Sequence, residues 1–515
     1  MDGAKHSHSD LQGTAPNRQP SPAPEPPAST PPLSRPLATG PLTSGPLLLR
    51  LAPEYHLMIF EYLGVGDQGA YRQTCRNLDS IVFSTFGRMH FTEMRFMLTH
   101  KSLMIGEDFS KSRYAPFLRF IILGNERLPR SPPASRAFQP DEEDIYCEQY
   151  ANDNYFNWTG QDILLLTRII ENCPNVNSSA VHLGNRTTPG VGLKGIVRKS
   201  ESCGFRRILG GRSKAITDRE QRKAPLNEKE YNASLLVKLL SAMNGARRPP
   251  KFLSIPNAIL DSAFNIPPYM EPSYFTLLSE LSTFQVCLYS KAEWLSERRT
   301  IRQDGPCKTT TYHLRHFLRL CLNIRELAIS WHRFPPCSPK GCFLQWLATP
   351  APPPGPMTAV TASTSQGPQT PTYYDSPGPV ALSHLRDLSL NIASISTGSM
   401  LRLFKKFGPS LNSLRLINVR LYNTTEDSND PPPDDSINPW EQCILMLSTC
   451  VSDHFSYFLV QQLRFKPSNS EQWCWTYFRP HPGGRLIISR LVNGGHMKLQ
   501  LEDLSRTMTS IPDDR

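Results

Sequence analysis

Leu385-Arg386-Asp387-Leu388-Ser389-Leu390 and, 26 residues on, Leu411-Asn412-Ser413-Leu414-Arg415-Leu416 carry apolar residues at k, k+3 and k+5. The same spacing recurs at Leu118/Ile121/Leu123, Leu281/Phe284/Val286 and Ile324/Leu327/Ile329, and in weaker form at Val176/Val181. Each place predicts a short strand. Amphipathic stripes precede most of them: Ile163, Leu166, Thr167 and Ile170; Leu314, Phe317, Leu318 and Cys321; Met400, Phe404 and Phe407. A strand plus a helix cannot cover its own apolar face, so such units are expected to stack into an α/β solenoid with one continuous core. The 26-residue offset lies inside the 20–29 period of leucine-rich repeats, while the other offsets are longer and uneven. Asn418 fits the asparagine-like corner at the end of a strand in one unit only. An irregular α/β domain that merely looks periodic is the competing reading.

Working outward, composition sets the limits of this domain. The chain has 515 residues, 48 prolines, 12 cysteines and a formal net charge of +11. Half of the proline lies in residues 1–50, 350–379 and 431–439, which cannot bury enough apolar area to offset chain entropy. Residues 1–46 are therefore expected to be a disordered Pro/Ser-rich tail, and the segments 185–230, 349–380 and 424–438 to be loop insertions in a domain spanning 91–501. A flexible C-terminus is expected over 502–515. Between Asn185 and Glu230 there are 12 Lys or Arg against 5 Asp or Glu, a net of +7, so the basic charge belongs to one segment.

Residues 47–90 read as a small helical unit. Tyr55, Met58, Ile59, Tyr62 and Leu63 form one helical stripe behind a first-turn proline, Pro53. Gly64 and Gly66 should break that helix, Asp67 should cap a second with Ala70, Tyr71, Thr74 and Cys75 on one face, and a third should carry Leu78, Ile81, Val82 and Thr85. So small a core is marginal alone and is expected to complete its burial against something else.

The run Leu51-Ala52-Pro53-Glu54-Tyr55-His56-Leu57-Met58-Ile59-Phe60-Glu61-Tyr62-Leu63, with Asp67 and then Arg72-Gln73-Thr74-Cys75-Arg76-Asn77-Leu78, resembles an F-box of the filamentous-fungal type. The stretch from Gly408 to Leu421, with Trp440-Glu441 after it, is similar to the C-terminal half of such proteins. The resemblance departs at Ala52, where the family has proline, and at Gln68-Gly69, where it has two leucines. It implies a three-helix F-box followed by a leucine-rich-repeat-like α/β solenoid. It also implies a role: a substrate-recognition subunit of an SCF-type cullin–RING ubiquitin ligase. Leu51, Pro53, Glu54, Ile59, Leu63 and Leu78 would dock to a Skp-type adaptor, and the C-terminal domain would bind an unknown protein substrate.

No nucleophile elbow, phosphate loop or metalloprotease helix occurs, so no catalytic residue, metal or cofactor is assigned and an adaptor rather than an enzyme is expected. The glycines at 184, 190, 192 and 195 match no phosphate-binding fingerprint, and Cys337 and Cys342 lack partners at zinc-ligand spacing. Nucleic acid is the second functional class: Arg198-Lys199, Arg206-Arg207, Arg212, Lys214, Arg219 and Arg222-Lys223 could meet phosphates, although Phe205 alone interleaves with them, so base stacking is not provided for. A leucine-rich scaffold acting without a ligase is the third. Neither a secretory leader nor a membrane-spanning run is visible, and the singly placed cysteines suit a reducing compartment, which points to cytoplasm or nucleus.

Overall fold

A computed structural model describes residues 47–124, 140–182, 202–203, 225–259, 261–288, 311–331, 343–351, 378–422, 438–466, 473–478, 489–493 and 496–512. The expected tail 1–46 and most of the three expected insertions lie outside them. The chain divides into two units, 1–63 and 64–515. The division falls inside the stretch expected to be one helical unit, between its first and second helices.

The first unit holds a 3-10 turn, Leu47–Arg50, and helix α1, Pro53–Tyr62. Proline occupies the first turn as expected, where its missing N–H costs nothing. Ala52 is the N-cap and makes no side-chain cap bond, and the helix ends with Leu63 extended.

The second unit opens with α2, Val65–Thr74, and α3, Arg76–His90. Gly64, not Asp67, is the N-cap of α2; Asp67 sits in its first turn, where a carboxylate favours the helix dipole. Gly66 lies inside the helix. The face expected to be apolar is not the inner one, because Ala70 and Thr74 are exposed and the buried residue is Gln68, whose Oε1 lies 2.5 Å from His90 Nε2. On α3 the interior is formed by Leu78 and Val82, one turn apart, with Gly87 where a Cβ would come 2.4 Å from the Phe117 ring. That close approach, with Phe83 edge-on to Phe117 at 5.5 Å, ties α3 to the segment around Phe117. This is why the second and third helices belong with the larger unit.

The rest is an α/β structure with a mostly parallel sheet of 13 strands among the described residues. Strands β1 (Glu93–Phe96), β2 (Phe120–Gly124), β3 (Ser178–His182), β4 (Phe252–Ile259), β5 (Thr283–Leu288), β6 (Glu326–Trp331), β7 (Asp387–Ser396), β8 (Ser413–Tyr422) and β9 (Tyr457–Gln461) pair in chain order, each parallel to the next. Their register is common: Glu93, Phe120, Ser178, Phe252, Thr283, Glu326, Asp387, Ser413 and Tyr457 form one continuous rung. Each of these residues is k+2 of its unit. The apolar triplet therefore occupies the same height in every strand, and three further units carry it: Phe91/Met94/Phe96, Pro250/Leu253/Ile255 and Phe455/Phe458/Val460. In the weak unit Ser179 fills the middle place between Val176 and Val181.

The triplets, apart from Phe91, Ser179 and Pro250, and the inner faces of helices such as Gln161–Asn172, Tyr312–Leu320, Thr397–Phe407 and Pro439–Cys450 form one hydrophobic cluster. Buried residues of the opposite sheet face, Ile122 and Ala180, are not part of it. At the start of the strands, one carbonyl receives two amides of the next strand. Arg325 O accepts from Arg386 N at 2.7 Å and Asp387 N at 2.9 Å, and Arg386 O from Asn412 N and Ser413 N at 2.7 and 3.1 Å.

Strands β7 and β8 bend at k+7, where Ile392 and Asn418 both have φ of 53°; Gln462, the same place in the next unit, has φ of 57°. Asn418 thus marks a corner that three successive units share. Past it, β10 (Arg464–Lys466) continues along the second half of β8, so β9 and β10 act as one strand bent at Gln462. Antiparallel strands close this end: β11 (Cys474–Phe478) on β10, β12 (Ser489–Asn493) on β9 and β13 (Met508–Pro512) on β11. They cover an edge whose free amides and carbonyls would otherwise be exposed. Helix Met497–Arg506 and β13 occupy the stretch expected to be a flexible end. Likewise the last residues of segment 185–230 begin helix Pro225–Gly245.

Candidate functional site

Helix α1 turns part of its apolar stripe outward. His56 and Phe60, one turn apart, are its buried residues, while Tyr55, Met58 and Tyr62, at i, i+3 and i+7, are 57%, 56% and 89% exposed. Leu48, Leu49 and Leu51 are exposed just before it. Of the residues expected to dock a partner, Leu51, Pro53 and Glu54 are exposed, and Ile59 and Leu63 are partly so. Leu78, on α3, is buried, with no exposed area. Tyr55, Met58 and Tyr62 were legible as members of the stripe; the sequence carried no sign that they face outward.

In the second unit a polar cluster joins α2 and α3 to the loop before β2. Asp79 receives Arg72 Nε at 2.9 Å and Arg113 Nη2 at 2.6 Å. The Arg72 guanidinium lies 3.9 Å over the Phe86 ring and also donates to the Tyr114 hydroxyl, and Arg113 lies 4.6 Å over Phe83. Burial acts to raise the Asp79 carboxyl, but the hydrogen bonds and charges of Arg113 and Arg72 outweigh it and hold the group below the usual carboxylate range. Beside the cluster is a cleft of about 700 Å³.

The sheet face away from the core carries the k+2 and k+4 residues. Over β4 to β8 it forms a shallow cleft of about 340 Å³, with Gln285, Ser389 and Arg415 beside the adjacent carboxylates of Glu326 and Asp387. Arg415 lies 5.1 Å from the Tyr457 ring centroid. Beyond the bend, Arg464 stacks on Trp475 at 3.7 Å and Arg420 lies 5.1 Å from Trp473.

Other perturbed groups are explained by structure. Asp261 is raised by burial, and it accepts from His313 N and Leu314 N at 3.0 and 2.9 Å, capping helix Tyr312–Leu320 from a distance in sequence. Burial lowers Lys406 to about 8, and its ammonium donates to the carbonyls of Leu347 and Thr349 at 2.8 and 2.6 Å. Burial raises the thiols of Cys173, Cys321 and Cys443, which makes them poor nucleophiles. Among the described residues no group of three or more His, Cys, Asp or Glu is placed to hold a metal ion, and no helix is long and apolar enough to cross a membrane. The glycines at 184–195, Cys337, Cys342 and the basic run from Arg206 to Lys223 lie outside the described residues, as do Arg198 and Lys199. The chain matches no protein-family model and no curated protein.

Proposed function

We propose that this chain is the substrate-recognition subunit of an SCF-type cullin–RING ubiquitin ligase, with an F-box that docks to a Skp-type adaptor and a leucine-rich-repeat-like α/β solenoid that binds a protein substrate. The observation that carries the reading is the outward apolar face of α1, formed by Tyr55, Met58 and Tyr62 with Leu51 before it. Apolar area of this kind on one helix is the chemistry of a surface that another protein covers. The common register of nine parallel strands supports the solenoid half of the reading, because each unit then contributes equivalent side chains to one long sheet surface.

The chain does no bond-making in this scheme. Tethering holds substrate lysines near a charged ubiquitin-conjugating enzyme, which raises their effective concentration. The place of action is the cytoplasm or nucleus. The test is direct binding of the intact chain to a purified Skp-type adaptor. Association that disappears in Ile59→Asp with Leu63→Asp is the expected result, and no association with the unaltered chain refutes the reading.

A further inference from the structure

The Arg72–Asp79–Arg113 cluster contains more cation than the fold needs. Three guanidiniums, those of Arg72, Arg76 and Arg113, line the 700 Å³ cleft with one carboxylate, Asp79, an excess of two positive charges. Asp79 takes Nε and Nη2 of Arg72 and Nη2 of Arg113. Arg76 is exposed and makes no hydrogen bond or ion pair among the described residues. The Tyr114 hydroxyl accepts from Arg72 and, at 3.3 Å, from Arg113. Its own proton has no acceptor among these bonds. Because both arginines donate to that oxygen, the hydroxyl is oriented to give its proton to something else.

These donors meet in a cleft of ligand-sized volume whose wall includes the Phe86, Phe91 and Tyr114 rings. Arg113 is held over Phe83 and by Asp79, so part of its ordering cost is met before any ligand arrives. Asp79 and the rings account for the position of the guanidiniums but leave Arg76, the spare donors of Arg113 and the tyrosine proton unused.

The geometry points to an oxyanion site in this cleft, for a phosphate monoester whose carrier group rests against the aromatic wall. A monoester near neutral pH carries close to two negative charges and three acceptor oxygens, which matches the excess charge and the three kinds of free donor. A lone carboxylate has one charge and two oxygens and would leave part of the set unsatisfied. The site is independent of the ligase reading, since it uses no residue of the α1 face.

The experiment is calorimetric titration of the intact chain with phenyl phosphate, with inorganic phosphate, with a phosphoserine peptide and with benzyl alcohol. Saturable binding of phenyl phosphate or of the phosphopeptide is expected, with benzyl alcohol inert; the stronger of the two ligands tells whether the monoester is borne by a small molecule or by a protein. Arg76→Gln and Arg113→Gln should each weaken binding about tenfold, the loss of one charge-assisted hydrogen bond. Tyr114→Phe, which keeps the ring and removes the proton, should weaken it several-fold. Arg76 is a surface residue, so Arg76→Gln leaves the fold intact and keeps the test decisive if Arg113→Gln disturbs packing. Absence of saturation by about 10 mM with both phenyl phosphate and the phosphopeptide overturns the proposal, and so does inorganic phosphate binding more tightly than either, because the aromatic wall and carrier would then contribute nothing. Binding unchanged in Arg76→Gln and Tyr114→Phe also overturns it, because the anion would then be adsorbed elsewhere on a basic chain.

Discussion

Removing Tyr62 and Met58 from α1 should separate binding from folding. Tyr62 is 89% exposed and Met58 56%, so truncation of both to alanine takes little out of the interior and should cost the fold no more than about 1 kcal/mol. A partner that covers them gains the area they now leave in water. Full burial of one such side chain contributes about 1.5–3 kcal/mol, which for the uncovered fractions here amounts to about 2–4 kcal/mol in total. That difference is about 30-fold to several hundred-fold in Kd. The assay is surface plasmon resonance or calorimetry of Met58→Ala with Tyr62→Ala against a Skp-type adaptor, with circular dichroism melts run alongside. A melting curve close to that of the unaltered chain and a Kd raised by at least an order of magnitude are expected. If Kd moves by less than about threefold while the fold is intact, the α1 face is not the docking surface.

Three further expectations concern the larger unit. Asp162 is fully buried and receives Lys238, which also donates to Asn157 Oδ1 at 2.8 Å, so Lys238→Met should destabilise by about 3–5 kcal/mol and adding Asp162→Leu should recover much of the loss, as measured by urea denaturation. At the left-handed corner, Asn418→Val should cost about 1–2 kcal/mol and Asn418→Gly little, because only the branched residue meets a steric penalty at φ of 53°; equal losses in the two variants would count against backbone strain. Burial raises Asp153 to about 6, with the weak hydrogen bond from His100 N at 3.4 Å opposing it. Its folded-state pKa lies above the unfolded value, so the folded form binds more protons and stability should rise as pH falls from about 7 towards 5, by about 1 kcal/mol after allowing for its solvent-facing part. Asp153→Asn should flatten that slope, and a denaturation midpoint whose pH dependence is the same in the variant refutes the assignment.

Much of the sheet was legible because the triplet couples two local facts, the period-two alternation of a strand and the apolar residue that turns the chain into it. Leucine and isoleucine made four units plain, and Leu281/Phe284/Val286 was the fifth. The units at Phe91, Pro250 and Phe455 carry the same geometry with less uniform residues and are evident only once the rung that joins Glu93 to Tyr457 is known. Long segments between units hid the period as well, since loop length costs little free energy and is free to vary. The corner was half visible: asparagine at 418 suggests a left-handed residue, but isoleucine at 392 does not, and only pairing with β8 on the same register imposes that conformation there.

The sites divide in the same way. The stripe on α1 was legible as a stripe, but spacing alone states that residues share a face and not whether that face is covered. Leu78, which the motif groups with the docking residues, is buried, and nothing in its local spacing states that either. The cleft was not legible at all, because the Arg72–Asp79 pair and the adjacent Arg113 and Tyr114 are 34 residues or more apart in sequence and charged residues have no period that brings them together. By itself the sequence determined what short-range chemistry can determine: α/β units, an N-terminal helical segment and a first-turn proline. The tertiary structure decided the common register, the bent strand, the capped edge, which side of α1 meets water and where the guanidiniums converge. The physical reason is that alternation, turn chemistry and capping act over a few residues, whereas burial and charge pairing are settled between residues that only the folded chain makes neighbours.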